Sequence, residues 1–158
     1  MRLLGACCLL AFALLATRAF SGYEMRRVQE NEGVLSLLLY LRSAIKTYAM
    51  PLDTLYAEVR CEALERSGFL SVLRREGLSA ALRSVPPVGM EEKTICTLLR
   101  FGDQLGSRFL EDEVAALDEV IPQLSEALSH MMGEAPRRKK IGRALITTAS
   151  MMVLLLFV

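Results

Sequence analysis

Two apolar stretches, one near each end of the chain and each bordered by arginines or lysines, constrain this sequence more than any other feature. Residues 3–16 are apolar without a break; Arg18 then intervenes before Ala19 and Phe20. That run is shorter than the roughly 20 residues a helical span needs. The long Arg18 side chain can reach toward the headgroups, which extends the usable length to Phe20. Residues 141–158 are apolar apart from Arg143 and a few small polar side chains, and they follow Pro136, Arg137, Arg138, Lys139 and Lys140. Arg26 and Arg27 follow the first stretch in the same way. Cytoplasmic flanks of membrane segments carry the excess of Lys and Arg. Both basic borders are therefore expected on one face of the membrane, together with the middle of the chain. This predicts membrane segments at residues 1–22 and 137–158 and a cytoplasmic helical domain at 23–136. The alternative is a secretory leader cut after Ala19, which leaves an exported helical adaptor with a single C-terminal anchor.

The middle of the chain has helical rather than strand periodicity. Val34, Leu38, Leu41, Ile45 and Tyr48 step by four and three, a seam suited to packing against another helix. Leu37 and Ala44 widen it, and the pattern predicts one helix from about Tyr23 to Ala49. Pro51 ends that helix and suits the first turn of the next, expected to run to Arg66 with Leu52, Leu55, Tyr56, Val59 and Ala63 inward. Ser67 and Gly68 stop it. Short helices are expected over 69–74 and 78–84, followed by a loop at Pro86, Pro87, Val88 and Gly89. A further helix is predicted from Glu91 to Leu105. Gly102 lies on its apolar face, where a missing side chain admits a neighbouring backbone, and Gly106 suits the left-handed position after its end.

Ser107 is read as the N-cap of a long last helix with Glu111, Asp112 and Glu113 in its opening turns. Its stripe is Leu110, Val114, Leu117, Ile121, Leu124, Leu128 and Met131. Pro122 predicts a kink near Leu117 and Asp118, and Gly133 and Pro136 predict an interruption. The expected fold is all-α: a compact antiparallel helical bundle flanked by N-terminal and C-terminal transmembrane helices.

Composition excludes more than it proposes. The net charge is +1, too small for a field that draws nucleic acid, and no nucleic-acid partner is expected. Hydrophobic residues make up 53% of the chain, and the excess sits at the two ends rather than in an oversized core. Cys7, Cys8, Cys61 and Cys96 contain no metal-ligand spacing, and His130 has no ligand-spaced partner. The cysteines are read as small buried hydrophobes, His130 as a surface residue, and Glu111, Asp112 and Glu113 as solvated charges facing the helix dipole. No phosphate-binding glycine loop is present, and no nucleophile, base or carboxylate pair is evident. No cofactor, metal or catalytic residue is expected, and the chain is read as non-enzymatic.

Several stretches carry a resemblance. The start at Arg2, Leu3, Leu4 and Gly5, the segment from Leu41 through Tyr48 to Pro51 and Leu52, and above all Phe101, Gly102, Leu105, Gly106 and Ser107 resemble the stage III sporulation protein AB family. The signature there is Phe-Gly-x-x-Leu-Gly-Ser before the last soluble helix. Lys139, Lys140, Gly142 and the apolar end are similar to that family's C-terminal anchor. The chain departs from the pattern in having no Trp, and in carrying Phe109 and Glu113 after the Gly-Ser pair. The resemblance implies a role in endospore formation, in a secretion-like channel complex between mother cell and forespore. It also implies a soluble domain similar to the cytoplasmic domain of F-type platform proteins of type II secretion. The partners it implies are the membrane, other subunits of the complex including its secretion-type ATPase, and further copies of the chain. The implied location is the mother-cell membrane around the forespore.

Overall fold

A computed structural model describes residues 2–48, 51–107 and 109–156; the side chains of 2–14, Tyr48, 135–139 and most of 142–156 lie outside the described set. Among the described residues there are seven helices and no strands. They are α1 (Arg2–Tyr48), α2 (Leu52–Glu58), α3 (Glu62–Arg66), α4 (Phe69–Glu76), α5 (Leu78–Ser84), α6 (Glu92–Gln104) and α7 (Leu110–Leu156). The protein is all-α, as its periodicity predicts.

The chain divides into two compact units: Met1–Met25 with Met131–Val158, and Arg26–His130. Both α1 and α7 contribute to each. Among the described residues no helix is long and apolar enough to cross a membrane. Most side chains of the two expected spans, at 3–16 and 141–158, lie outside that set.

In the Arg26–His130 unit the apolar stripes converge on one core. Val34, Leu38, Leu41 and Ile45 of α1 are buried, as are Leu37 and Ala44 beside them. From α7 come Leu117, Val120 and Leu124, and between the long helices lie Leu55, Leu64, Phe69, Leu70, Leu73, Leu78, Leu82, Leu98 and Phe101. Each large apolar side chain taken from water contributes about 1.5–3 kcal/mol before entropy is subtracted. On the outside Arg42 of α1 pairs with Asp118 of α7, and Arg83 of α5 pairs with Asp103 of α6 at 2.8 Å. Such exposed pairs fix register more than they stabilise.

Four local expectations are corrected. The helix foreseen from Pro51 to Arg66 is two, because the chain turns extended at Val59 (φ −60°, ψ 127°) and Cys61 (φ −147°, ψ 111°). The Val59 carbonyl, released from the helix, accepts from Arg74 Nη2 at 2.9 Å. The detour seats Leu64 rather than Ala63 in the core, against Gly33. Gly133 and Pro136 do not interrupt α7, and Pro122 also lies within it. A helix already nucleated propagates one bond per residue, so a local propensity cost need not break it. Leu110, expected on the inward stripe, is exposed in the first turn of α7, and Phe109 beside it is exposed as well. Cys96, a free thiol, is exposed rather than the small buried residue foreseen, whereas the free thiol of Cys61 is half-buried and packed against the core. Cys7 and Cys8 fall outside the described side chains.

Candidate functional site

Two constellations in the Arg26–His130 unit gather residues from distant parts of the sequence. The first is the turn between α6 and α7. Phe101 anchors it in the core. A Cβ on Gly102 would lie 3.0 Å from the backbone nitrogen and 3.3 Å from the Cα of Ser79, so the glycine is what lets α6 and α5 press together. Gly106 has φ +88°, a left-handed conformation that costs a Cβ-bearing residue about 1 kcal/mol or more. A Cβ there would also meet Leu52 Cδ1 at 3.0 Å. The Pro51–Leu52 pair and the Gly106–Ser107 pair, separate in sequence, thus meet in space. Pro51 is exposed and accepts at its carbonyl from the N–H groups of Thr54 and Leu55, opening α2. Leu105 is partly buried against the core.

Ser107 does not cap α7. Its hydroxyl donates to the Gln104 carbonyl at 2.6 Å and so closes α6, and α7 begins only at Leu110. The Gly106 N–H donates instead to the Glu113 carboxylate. Glu113 is therefore buried, whereas Glu111 and Asp112 are solvated as expected. Tyr56 lies close by; burial pushes its phenol well above the usual value of about 10, and the carboxylates of Glu113 and Asp53 push it further.

The second constellation was not foreseen from sequence. Arg27, Glu30 and Asn31 of α1 grip the backbone of the loop at Pro86–Gly89. Asn31 Nδ2 donates to the Val88 carbonyl at 3.0 Å and to the Arg27 carbonyl at 2.6 Å. The Val88 N–H donates to Glu30 Oε2 at 3.0 Å, and Arg27 Nε donates to the Gly89 carbonyl at 3.3 Å. Asn31 is fully buried. A loop of this kind has no helix or strand to satisfy its peptide groups, and α1 supplies the partners. One signal in the sequence points to it: continued N-terminally, the Leu41–Leu38–Val34 stripe reaches Asn31 and Arg27, polar residues on an apolar face.

Beside this clamp Arg26, Gln29, Arg66 and Pro86 line a cavity of about 310 Å³. A larger one of about 470 Å³ lies between α6 and α7 over Leu98 and Leu124, with Glu91, Glu126 and His130 at its rim. Among the described residues no three carboxylate, thiol or imidazole groups are placed to hold a metal ion.

Of the expected membrane-flanking residues, Arg18, Arg26 and Lys140 are exposed, and Arg27 is half-buried in the clamp. The side chains of Arg137, Arg138, Lys139 and Arg143, and that of the signature residue Tyr48, lie outside the described set.

No curated protein and no solved structure matches the chain. The family model of stage III sporulation protein AB matches residues 2–158 and so takes in the signature turn, the clamp and both apolar ends. The chain accordingly belongs to the stage III sporulation protein AB family, which implies a role in stage III of sporulation.

Proposed function

We propose that this protein is a non-enzymatic scaffold subunit of the secretion-like channel complex between mother cell and forespore, tethered to the mother-cell membrane at both ends. The observation that carries the reading is the family match over residues 2–158. The terminal unit supports the tether. Five of the eight large apolar side chains exposed among the described residues (Leu15, Tyr23, Met25, Met132 and Ile141) belong to it. Water-exposed apolar side chains gathered in one region mark a surface that meets lipid or another protein. The half-apolar Tyr23 suits the headgroup level.

On this reading the basic borders hold the Arg26–His130 unit at the cytoplasmic face. Confinement there raises the effective concentration of copies and favours assembly into a platform beside the complex's secretion-type ATPase. The clamp and the signature turn give that unit a rigid surface for its neighbours. Deleting the gene is expected to arrest spore development after engulfment, and full-chain protein restored in trans should relieve the arrest. Normal spore formation in the deletion strain would refute the assignment.

A further inference from the structure

The charge of the terminal unit is one-sided. Met1–Met25 and Met131–Val158 contain seven arginines and lysines (Arg2, Arg18, Arg137, Arg138, Lys139, Lys140 and Arg143) against two glutamates, Glu24 and Glu134. Residues 135–158 hold no acidic side chain at all. Two carboxylates cannot neutralise seven cations, so the counter-charge comes from outside the unit.

The backbone says what form it takes. Residues 137–140 lie on the unbroken helix α7. At about 3.6 residues per turn, four consecutive cations encircle a helix and leave no side without one. A protein partner presents acidic groups from one direction and meets only part of such a collar. Anionic headgroups reach a membrane-embedded helix from every side that its neighbour in the unit leaves open. The collar stands immediately before the apolar residues 141–158, where headgroups would lie.

We propose that the collar at residues 137–140 binds anionic phospholipid headgroups selectively, so that the terminal unit gathers a shell of acidic lipid about itself. This rests on the membrane-anchored reading above. The shared chemistry is the phosphate group, and the commitment is to the lipid rather than to free phosphate.

The test uses the purified full chain reconstituted into phosphatidylcholine bilayers, with spin-labelled phosphatidylglycerol or phosphatidylcholine as probe. Electron paramagnetic resonance then reads the lipid immobilised at the protein surface. Phosphatidylglycerol is expected to associate at least roughly fivefold more strongly than phosphatidylcholine at low salt, since each juxtamembrane cation favours acidic lipid by about that factor. The preference should shrink as sodium chloride shortens the screening length. It should fall to near parity in the variant Arg137→Gln, Arg138→Gln, Lys139→Gln, Lys140→Gln, because glutamine keeps the helix propensity and removes the charge. A variant neutralising Lys46, Arg60, Lys93 and Arg100, exposed residues of the other unit, should retain the preference.

Equal association of the two lipids with the unmodified chain would overturn the proposal while leaving membrane anchorage standing. Loss of selectivity with inorganic phosphate, but not with chloride at the same ionic strength, would overturn it in favour of a free-phosphate site. Absence of any immobilised lipid component would overturn the anchorage itself.

Discussion

The two units of this chain solve opposite problems. In Arg26–His130 most large apolar side chains turn inward, Leu39, Phe109 and Leu110 excepted, and most polar atoms that go in with them are held: Asn31 Nδ2 (though not its Oδ1) and Glu30 by the Val88 peptide, and Glu113 by the Gly106 N–H. In the terminal unit Leu15, Tyr23, Met25, Met132 and Ile141 face outward, and the charge is almost all of one sign. The first pattern is what water imposes, since burying apolar area drives folding and an unpaired buried polar group costs about 1–3 kcal/mol. On the proposed function, the second suits surroundings that are apolar in one zone and anionic in the next. The difference teaches that a mean hydropathy of +0.34 averages two kinds of surface and describes neither.

The largest effect expected from breaking this contrast is in the core. Leu38 and Leu98 are fully buried, and either one changed to Ala should cost about 2–5 kcal/mol through lost transfer energy and a cavity. Leu15→Ala and Met132→Ala should leave the unfolding of the Arg26–His130 unit unchanged. Denaturant unfolding of the full chain in detergent micelles measures both, and a comparable loss from the exposed pair would erase the distinction.

Next comes Gly102→Val. Its side chain has to displace the α5 backbone at Ser79, and overpacking of this kind costs about 1–3 kcal/mol. The same unfolding experiment reads it; an unchanged midpoint would show that α6 and α5 are not pressed together.

The clamp is expected to contribute somewhat less. Asn31→Ala strips the Val88 carbonyl of its side-chain donor and should cost about 1–2 kcal/mol. Faster amide hydrogen exchange at Val88 and Gly89 should accompany it, while α6 amides stay as protected as before. Uniform acceleration through the unit would mean that Asn31 acts on global stability rather than on the loop.

The smallest effect at neutral pH belongs to Tyr56. Folding holds its phenol in the neutral form, through burial first and then through Glu113 and Asp53. The unfolded chain gives up that proton near pH 10 whereas the folded chain retains it, so stability is full below about pH 10 and falls as pH rises beyond it. Tyr56→Phe should flatten this alkaline decline without altering stability at pH 7 beyond the loss of the hydroxyl. An identical decline in the variant would place the alkaline sensitivity elsewhere.

Where sequence was enough and where it was not follows from the range of the forces involved. The α1 stripe at Val34, Leu38, Leu41 and Ile45 was legible because helical periodicity and burial are the same fact viewed twice. Gly102 and Gly106 were legible because only glycine suits a close approach or a left-handed turn. The break at Val59–Cys61 was not. It depends on Arg74 reaching the Val59 carbonyl and on Leu64 meeting Gly33, and no local propensity encodes either. Ser107 had two carbonyl and amide neighbours to choose from, and the one behind it won. Glu113 reads as one more solvated acid until the turn brings the Gly106 N–H to it. The clamp was half legible, as polar residues on an apolar stripe, but its target loop lies 57 residues from Asn31.

The central claim is that both ends of the chain are held in the membrane with the Arg26–His130 unit on the cytoplasmic side. Cys96, exposed on α6, is a ready reporter once Cys7, Cys8 and Cys61 are changed to Ala. The protein is produced in vegetative cells, where its membrane bounds the cell, and these are treated with a thiol reagent that cannot cross membranes, before and after lysis, and the membrane-bound protein is recovered. The account predicts that Cys96 is protected in intact cells and labelled only after lysis. Labelling of Cys96 in intact cells would contradict it, and would place that unit on the far side of the membrane, as a cleaved leader requires.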